Sequence, residues 1–578
     1  MSWFENKTLF RWHGWLGLNL GLLLFIVCFS GTIAVFSYEI DWLIDPALRA
    51  EAETTNWTAV EDSVAAAYPN HVLTFIVGPR HDGFAALGYA TDPAGRSVKL
   101  WIHPETGEVQ KRGNFWTVQR FFRSFHRRMF VPNPFGILWV TLFAFVLMAS
   151  AITGILFYKG WYRHLFRLRW EDVRLLFSDG HRLAGVWSLA FATIIVATGV
   201  WYGVELVAPA SGPDVPDITE EALIDRGPTP NLLPLGEQVN RAEAAFPGFE
   251  PKDIIPGTAS RPTQVRGQAE AWFVRPRANT VRIDPATGEV LSVQKATEIS
   301  AYHRWSDMAD PLHFGTFGGW WSQAAWFAFG LLLSSLMLSG GWLWHLRAEK
   351  KAIAAGAARH PRWSYGAAAL PVLTIVASGV FGFQEVEQHY MMREAPRQIA
   401  TQTHAIGPWQ AQLLQMRPPT GEAPSYRVGF TGPEGAAANL KEVALRWTGT
   451  ADSTAATLHP QVPVTRTLTG APPAHSDATL TLTATAWDGA THTATLPVPH
   501  ANGADVRTAE LSIPPVPAAV WWVVGLFSAG TMALVGAWLY FAQQTARRRT
   551  RTESGDGDAA PSAEARPVAV SADLPSPG

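Results

Sequence analysis

Six stretches of about 20 uncharged, mainly apolar residues recur along this chain of 578 residues. A helix of that length crosses roughly 30 Å of hydrocarbon, so each stretch predicts a membrane span. The first is longer than the apolar core of a signal peptide and has no clear cleavage site, so we expect it to remain as an anchor. The predicted spans are residues 15–38, 135–158, 183–202, 323–344, 365–383 and 517–541.

Lysine and arginine concentrate between the second and third spans, between the fourth and fifth, and directly after the sixth. An excess of these residues is typical of cytoplasmic loops. We therefore expect both termini in the cytoplasm, with a disordered tail from about residue 552. The expected cytoplasmic segments are 1–14, 159–182, 345–364 and 542–578, and the expected periplasmic segments are 39–134, 203–322 and 384–516.

The first two periplasmic segments repeat one pattern. In each, an Ala-rich helix ends at an aromatic residue followed by proline, and predicted strands and a Pro-x-Thr-Gly-Glu turn follow. The pattern continues into the membrane, because His13 precedes Gly31 by 18 residues and His181 precedes Gly199 by 18. The unit is therefore span, module, span, used twice, which predicts parallel repeats about an axis along the membrane normal. Segment 384–516 lacks the turn and predicts a β-rich domain with a hairpin at Asp488-Gly489.

The net charge, the cysteine count and the composition of the spans exclude several classes of function. The net charge of −2 provides no basic field for nucleic acid. A single cysteine excludes an intrachain disulfide scaffold, a Cys-ligated iron–sulfur cluster and covalently attached haem, so a redox cofactor must be held by histidines or by shape. The span cores carry no Asp, Glu, Lys or Arg, which argues against an ion-coupled transporter. A phosphate-binding glycine loop and a dinucleotide fingerprint are also absent, so a reductase would need a separate electron donor.

Four histidines lie at span edges in register with the repeat. His13 and His181 begin outward-going spans, and His126 and His313 precede inward-going ones. Each pair of symmetry mates can supply two axial imidazoles to one haem iron. Gly17 and Gly185 lie four residues after their histidines, on the same helix face, and leave room for a tetrapyrrole.

Alternatives stay open for these positions. A histidine at a membrane edge also acts as an interfacial polar anchor. His345 can replace His13 or His181 as a ligand, and His303 can replace His313. The Ser/Thr-Gly pairs of the spans indicate either close helix packing or the lining of a cofactor cleft.

Several residues on the periplasmic side are weak substrate candidates, and no catalytic residue is assigned. The arginines around His126 can attract an anionic substrate, pair with haem propionates or contact lipid phosphates. Trp305 can stack on a ligand or belong to the interfacial aromatic belt. The candidates are Arg123, Arg127, Arg128 and Trp305.

Over about residues 8–347, these motifs together resemble the PepSY-associated transmembrane family. The shared marks are His13-Gly14-Trp15-Leu16-Gly17, the paired Pro-x-Thr-Gly-Glu modules, Phe125-His126-Arg127-Arg128, His181-Arg182 and Leu312-His313-Phe314-Gly315. Members resemble iron-regulated inner-membrane proteins of bacteria, some of which reduce ferric siderophores outside the membrane with b-type haems. The segment after residue 350 departs from the family's four-span pattern.

The expected fold is a polytopic α-helical membrane protein. It has about six transmembrane helices, α+β PepSY-like periplasmic modules and a third, β-rich periplasmic domain. The expected function is electron transfer through the bacterial inner membrane by two haem b groups, to a ferric siderophore or another ferric chelate for iron acquisition. Quinol or a cytoplasmic flavin reductase would be the donor, and membrane lipid is a further partner.

Two other functions remain. PepSY-type domains also resemble peptidase-inhibiting propeptide segments, so the chain can instead bind and restrain an envelope peptidase without a cofactor. A siderophore or metal permease is the third hypothesis, which the charge-free spans disfavour.

Overall fold

The protein is a multi-pass membrane protein with two further β-rich regions, seen here in a computed structural model. Residues 554–578, most of the predicted tail, lie outside the described residues. Those are 6–68, 71–91, 97–163, 165–207, 232–258, 261–271, 273–355, 364–389, 397–417, 425–431, 440–448, 455–458, 466–468, 479–497, 506–509 and 515–553.

Five described helices are long and apolar enough to cross a membrane, and a bent helix pair forms a sixth candidate span. The spans are built on α1 (Asn6–Asn19) with α2 (Gly21–Val35), α6 (Phe135–Phe157), α8 (Leu189–Val207), α11 (Gly319–Ala355), α12 (Ser364–His389) and α13 (Ala518–Glu553). The shorter helices are α3 (Ser37–Ile44), α4 (Trp57–Ala67), α5 (Val118–Arg128), α7 (Val173–Trp187), α9 (Leu235–Ala245) and α10 (Ala301–Phe314).

The first and third spans are interrupted rather than continuous. The α1 and α2 axes meet at 66°, where the amide of Asn19 donates to the carbonyl of Trp15 at 2.7 Å. A side chain that bonds its own helix backbone in this way competes with the regular ladder and favours a bend. In the third span, α7 stops at Trp187 and α8 begins at Leu189, so this helical segment starts well before residue 183.

The first four spans form a bundle with internal two-fold symmetry. Helices α2 and α8 occupy equivalent positions in the two repeats, as do α6 and α11. Helix α2 packs against α11, and α8 packs against α6. Likewise α1 contacts α6, and α7 contacts α11. These exchanged partners are what parallel repeats around one central axis produce.

The two modules join into one antiparallel sheet of eight strands, in the order β4-β3-β2-β1-β5-β6-β7-β8. The junction pairs Ile76 of β1 with Ile254 of β5, which occupy equivalent positions in the two repeats. The sheet therefore relates the two repeats by a two-fold operation, as the helix contacts of the bundle also do. The strands are β1 (Val72–Val77), β2 (Ala86–Thr91), β3 (Ser97–Ile102), β4 (Val109–Gly113), β5 (Glu250–Ile255), β6 (Thr263–Gln268), β7 (Asn279–Ile283) and β8 (Val290–Gln294).

Each Pro-x-Thr-Gly-Glu segment forms the turn between the last two strands of its module. Gly107 has φ 76° and Gly288 has φ 72°, a region that residues with a Cβ rarely adopt. A Cβ on Gly107 would also lie 2.1 Å from the carbonyl oxygen of Ala59 in α4. The turn glycine thus lets the module helix pack closely on the sheet.

The third region contains two further antiparallel sheets with a shared apolar core. One has the order β14-β11-β10-β9-β17 and the other β13-β12-β15-β16, and the expected hairpin at Asp488-Gly489 joins β15 to β16. The strands are β9 (Arg397–Ile406), β10 (Trp409–Arg417), β11 (Ser425–Thr431), β12 (Glu442–Thr448), β13 (Ala455–Leu458), β14 (Arg466–Leu468), β15 (Thr479–Thr485), β16 (Thr491–Pro497) and β17 (Val506–Ala509).

Asp41, on α3 after the first span, anchors the start of α5. Its carboxylate accepts hydrogen bonds from the backbone N–H groups of Val118 at 2.8 Å and Gln119 at 2.9 Å. Burial disfavours the charged carboxylate and raises the pKa of Asp41 to about 6, although these N–H donors act in the opposite direction. The side chain therefore ties α5 to the end of the first span and titrates in an accessible pH range.

Asp41→Asn removes that titration. Because the folded state holds the proton more tightly than the unfolded chain, the stability that Asp41 contributes is greatest near pH 4 and falls as the pH rises through about 6. We expect the stability advantage of the wild type over the variant to shrink by up to about 3 kcal/mol between pH 4 and 7.5, for a shift of about two pKa units. Thermal unfolding in detergent at several pH values measures this, with exposed Asp62→Asn as the control. A pH-independent difference would contradict it.

Candidate functional site

The structure brings four of the predicted histidines together as two pairs. The ring centroids of His126 and His313 are 6.0 Å apart, and those of His13 and His181 are 6.3 Å apart. Each pair consists of repeat mates and so lies on the two-fold axis. The His126–His313 pair lies at the side of the bundle next to the eight-stranded sheet, here the sheet face. The His13–His181 pair lies at the opposite side, here the basic face.

The sheet-face histidines sit near the C-terminal ends of two short capped helices. Thr117 caps the N-terminus of helix α5, and its hydroxyl accepts the N–H of Arg120 at 3.2 Å. Helix α10 is capped by Ser300 at its N-terminus and by Gly315, which has φ 72°, at its C-terminus. The caps satisfy helix N–H groups that have no intrahelical partner, and Gly315 adopts the left-handed C-terminal conformation at little cost.

In repeat one, both imidazoles bond backbone carbonyls through Nδ1. His126 Nδ1 lies 2.8 Å from the carbonyl oxygen of Val27, and His13 Nδ1 lies 3.0 Å from that of Ser150. A carbonyl oxygen only accepts hydrogen bonds, so Nδ1 carries the proton on both rings. The lone pair of each neutral imidazole is then on Nε2.

In repeat two, hydroxyl groups take the place of the carbonyls. His181 Nδ1 is 2.9 Å from Ser339 Oγ, and His313 Nδ1 is 2.8 Å from Thr198 Oγ1. Both hydroxyls already donate to their own helix, to the carbonyls of Ser335 and Ile194 respectively, each at 2.8 Å. They therefore accept from Nδ1, which again places the lone pair on Nε2.

The Ser/Thr-Gly pairs of the spans provide the seats for these rings. A Cβ on Gly31 would lie 2.5 Å from His126 Cε1, one on Gly154 3.4 Å from His13 Cε1, and one on Gly340 3.2 Å from His181 Cε1. Gly199 instead faces the Cβ of Ala144 at 3.2 Å, while its neighbour Thr198 binds His313. The small residues are thus specific neighbours of the imidazoles, a role that the repeat spacing signalled but did not define.

The spacing within each pair fits two axial ligands of one haem iron. With each metal–nitrogen distance about 2.0 Å and each centroid about 1.1 Å behind its nitrogen, axial imidazole centroids lie about 6 Å apart. Among the described residues there is no group of three or more His, Cys, Asp or Glu that could hold a metal ion.

Space exists beside the basic-face pair. A Cβ on Gly17 would meet nothing within 4 Å, and one on Gly185 would meet only Leu336 Cδ2 at 3.9 Å. The rings of His13 and His181 themselves are half-buried. This open strip next to the rings is consistent with room for a planar group.

Residues 10–347, more than half of the chain, match the PepSY-associated TM region. The chain belongs to this family. The matched range includes both imidazole pairs and the joined modules, and it excludes the third β-rich region. An uncharacterized protein of Pseudomonas aeruginosa is 27% identical over an aligned length of 248, and the match covers 38% of this chain. The chain spans about three fifths of the length of that curated relative, since 61% of the relative is covered.

Other candidate ligands lie away from the pairs in this PepSY-associated protein. His303 lies ten residues before His313, about 15 Å along α10, and its Nδ1 is 2.8 Å from Ser300 Oγ. It therefore does not join the sheet-face pair. The side chain of His345 lies outside the described residues. Trp305 packs edge-to-face on Trp201, with ring centroids 6.2 Å apart.

The weak substrate candidates divide into two kinds. Arg128 donates to Glu385 at 2.5 Å, and Arg120 donates to the same carboxylate at 3.3 Å. Arg128 is therefore engaged inside the protein. Arg123 and Arg127 are exposed on α5, beside His126 in sequence.

A partly buried polar network that sequence reasoning missed supports His313. The hydroxyl of Tyr202 donates to Asp310 at 2.8 Å, and the Tyr202 ring lies 5.3 Å from that of His313. Arg275 bridges Asp310 at 3.1 Å and Asp307 at 2.9 Å. Because these residues are distant in sequence, only the fold reveals that they tie α10 to the second module and to α8.

Burial also keeps the sheet-face rings neutral. Histidines 126 and 313 lie on helices outside the six apolar segments, and desolvation lowers the pKa of both. The neutral form is the one that carries a free Nε2 lone pair.

The fifth and sixth spans hold α5 from two sides. Glu385 of α12 binds the two arginines described above, and Phe527 of α13 packs on Phe121, Phe122 and Phe125, with the ring of Phe122 at 4.9 Å. Helix α10 is instead held by its own module. The segment beyond the family match therefore supports the helix that carries His126.

We expect Glu385→Gln to loosen α5, because it leaves the half-buried Arg128 without its carboxylate. The carboxylate of Glu385 is 15% exposed, so the loss should be about 1–3 kcal/mol, less than for a fully buried pair. Thermal unfolding and amide hydrogen exchange of residues 118–128 measure it. Exposed Glu387→Gln, two residues further along α12, is the matched control. Equal effects of the two substitutions would refute a specific role for Glu385.

Proposed function

We propose that this protein carries electrons across the bacterial inner membrane through two b-type haems. His13 and His181 would hold one haem at the cytoplasmic face, and His126 and His313 would hold the other at the periplasmic face. The observation that carries the proposal is the shared geometry of the four rings. Each uses Nδ1 in a hydrogen bond, and each pair has the centroid spacing of axial ligands.

The protein's own contribution is to fix and polarise the imidazoles. Hydrogen bonds from Nδ1 hold each ring in one tautomer and orientation and raise the basicity of Nε2. The carbonyl partners of repeat one and the hydroxyl partners of repeat two differ in acceptor strength. The haem, when bound, supplies one-electron redox chemistry, and the protein sets its potential through these contacts.

The distance between the pairs suits a relay within one bundle. His181 and Thr198, which mark the two levels, are 17 residues apart, so a straight helix would separate them by about 25 Å. Buried apolar residues such as Leu23, Ile26 and Phe191 lie on the helices between the levels. Electrons would therefore cross the membrane interior without charged side chains.

The proposed acceptor is a ferric siderophore or another ferric chelate on the periplasmic side, for iron acquisition. Exposed Arg123 and Arg127, beside His126, support this because they can attract an anionic chelate. Trp305 remains a candidate for stacking. The proposed donor is quinol or a cytoplasmic flavin reductase, and the basic loops support placing the His13–His181 pair in contact with the cytoplasm.

Reduced-minus-oxidised visible spectra of the purified protein test the cofactor assignment. We expect two haems per chain, with one lost in His126→Ala or His313→Ala and the other lost in His13→Ala or His181→Ala. His303→Ala is the control and should retain both. In the wild type, an added ferric siderophore should reoxidise the reduced haems.

Three results would each reject the proposal. Protein made with ample haem supply and still free of haem would leave restraint of an envelope peptidase as the better account. Substrate uptake into proteoliposomes without a reductant would favour a permease. Full haem content in all four histidine variants would remove the assigned ligands.

A glycine substitution tests, without changing any histidine, whether close approach of the His126 ring to the first span is needed for haem binding. Gly31→Ala places a Cβ 2.5 Å from the His126 ring and should lower sheet-face haem content several-fold, because a Cβ cannot approach that closely. Gly379→Ala is the matched control, since Gly379 also follows a serine in a span and a Cβ there meets nothing within 4 Å. Haem-to-protein ratios read both variants. Equal ratios would show that His126 tolerates displacement.

A further inference from the structure

A cavity of about 310 Å³ opens on the basic face, between the end of α6 and helix α7. Four cationic side chains line it, together with the ring of Tyr158 and apolar residues of α7. The cations are Lys159, Arg167, Arg169 and Arg182. The cavity thus joins a loop to the helix that carries His181.

The lining contains one carboxylate for four cationic side chains. Asp179 is the single acid among the lining residues, all of which lie in the described part of the chain. Arg169 binds it through two bonds, Nε to Oδ2 at 2.7 Å and Nη2 to Oδ1 at 2.9 Å. Both carboxylate oxygens of Asp179 are therefore engaged by Arg169.

The other cations retain capacity for an outside anion. Arg182 lies 3.6 Å from Asp179 and 5.2 Å from the centroid of the Tyr158 ring, which holds its guanidinium in place. Lys159 and Arg167 are exposed at the mouth of the cavity. A concave surface on which cations outnumber carboxylates concentrates anionic ligands.

We propose that this cavity is a binding site for a phosphate-bearing ligand. Phosphate offers several anionic oxygens, which suits two arginines and a lysine converging from different elements better than a single carboxylate does. The phosphate can belong to a soluble nucleotide such as flavin mononucleotide or to the head group of an anionic phospholipid. Binding itself does not require haem. Arg182 of the cavity lining is adjacent in sequence to His181. If the proposed function holds, a phosphate-bearing electron donor bound in the cavity would therefore lie close to the haem that His181 holds.

The test compares ligands that differ only in the phosphate. Flavin mononucleotide and riboflavin are titrated against the full-length protein by fluorescence quenching, with inorganic phosphate as competitor. A second arm measures how much phosphatidylglycerol, against phosphatidylcholine, stays bound to protein purified from mixed-lipid nanodiscs. The variant is Lys159→Gln with Arg167→Gln, and the control is exposed Arg163→Gln, in the same loop but outside the cavity lining.

We expect one arm to show a preference for the phosphate-bearing ligand of at least about tenfold, lost in the double variant and kept in the control. Preference in the flavin arm identifies a soluble ligand, and preference in the lipid arm identifies a head group. The proposal is overturned if flavin mononucleotide binds no better than riboflavin and phosphatidylglycerol no better than phosphatidylcholine. The proposal is also overturned if the double variant loses haem but keeps its phosphate binding, because Lys159 and Arg167 would then bind haem propionates instead. Haem content, read separately, distinguishes failure here from failure of the relay.

Discussion

The hydrogen bond from each histidine Nδ1 to the neighbouring span is the constraint on which the site depends. It sets which nitrogen carries the proton and where the free Nε2 lone pair lies. Such a bond forms only if the ring approaches the helix backbone closely, and glycines 31, 154 and 340 allow that approach. Helix bends, small residues and caps around the spans can all be understood as means of bringing four imidazoles to four such seats.

Internal symmetry turns one seat design into two facing sites. Pairing of Ile76 with Ile254 joins the modules at equivalent positions, and the exchange of partners between α2 and α8 repeats that relation in the bundle. Any residue close to the axis then meets its own repeat mate. Each repeat contributes one histidine to each pair. The two histidines of a pair are therefore brought together by the symmetry, and no single sequence motif contains both.

The fifth and sixth spans break this symmetry. They hold α5 by the Glu385 ion pairs and by Phe527, whereas α10 relies on Arg275, Asp307 and Asp310 within its module. The two imidazoles of the sheet-face pair are thus supported by different parts of the chain.

The sequence by itself determined the number of candidate spans, the duplicated module and the four edge histidines, because apolar length and repeat spacing are local properties of the chain. It did not reveal the 66° bend between α1 and α2, or that the two modules share one sheet. It left His303 open as a substitute for His313, and it left Arg128 free to contact substrate. Only the tertiary structure decided these points: Arg128 meets Glu385 across 257 positions, and such contacts have no signature in either segment alone.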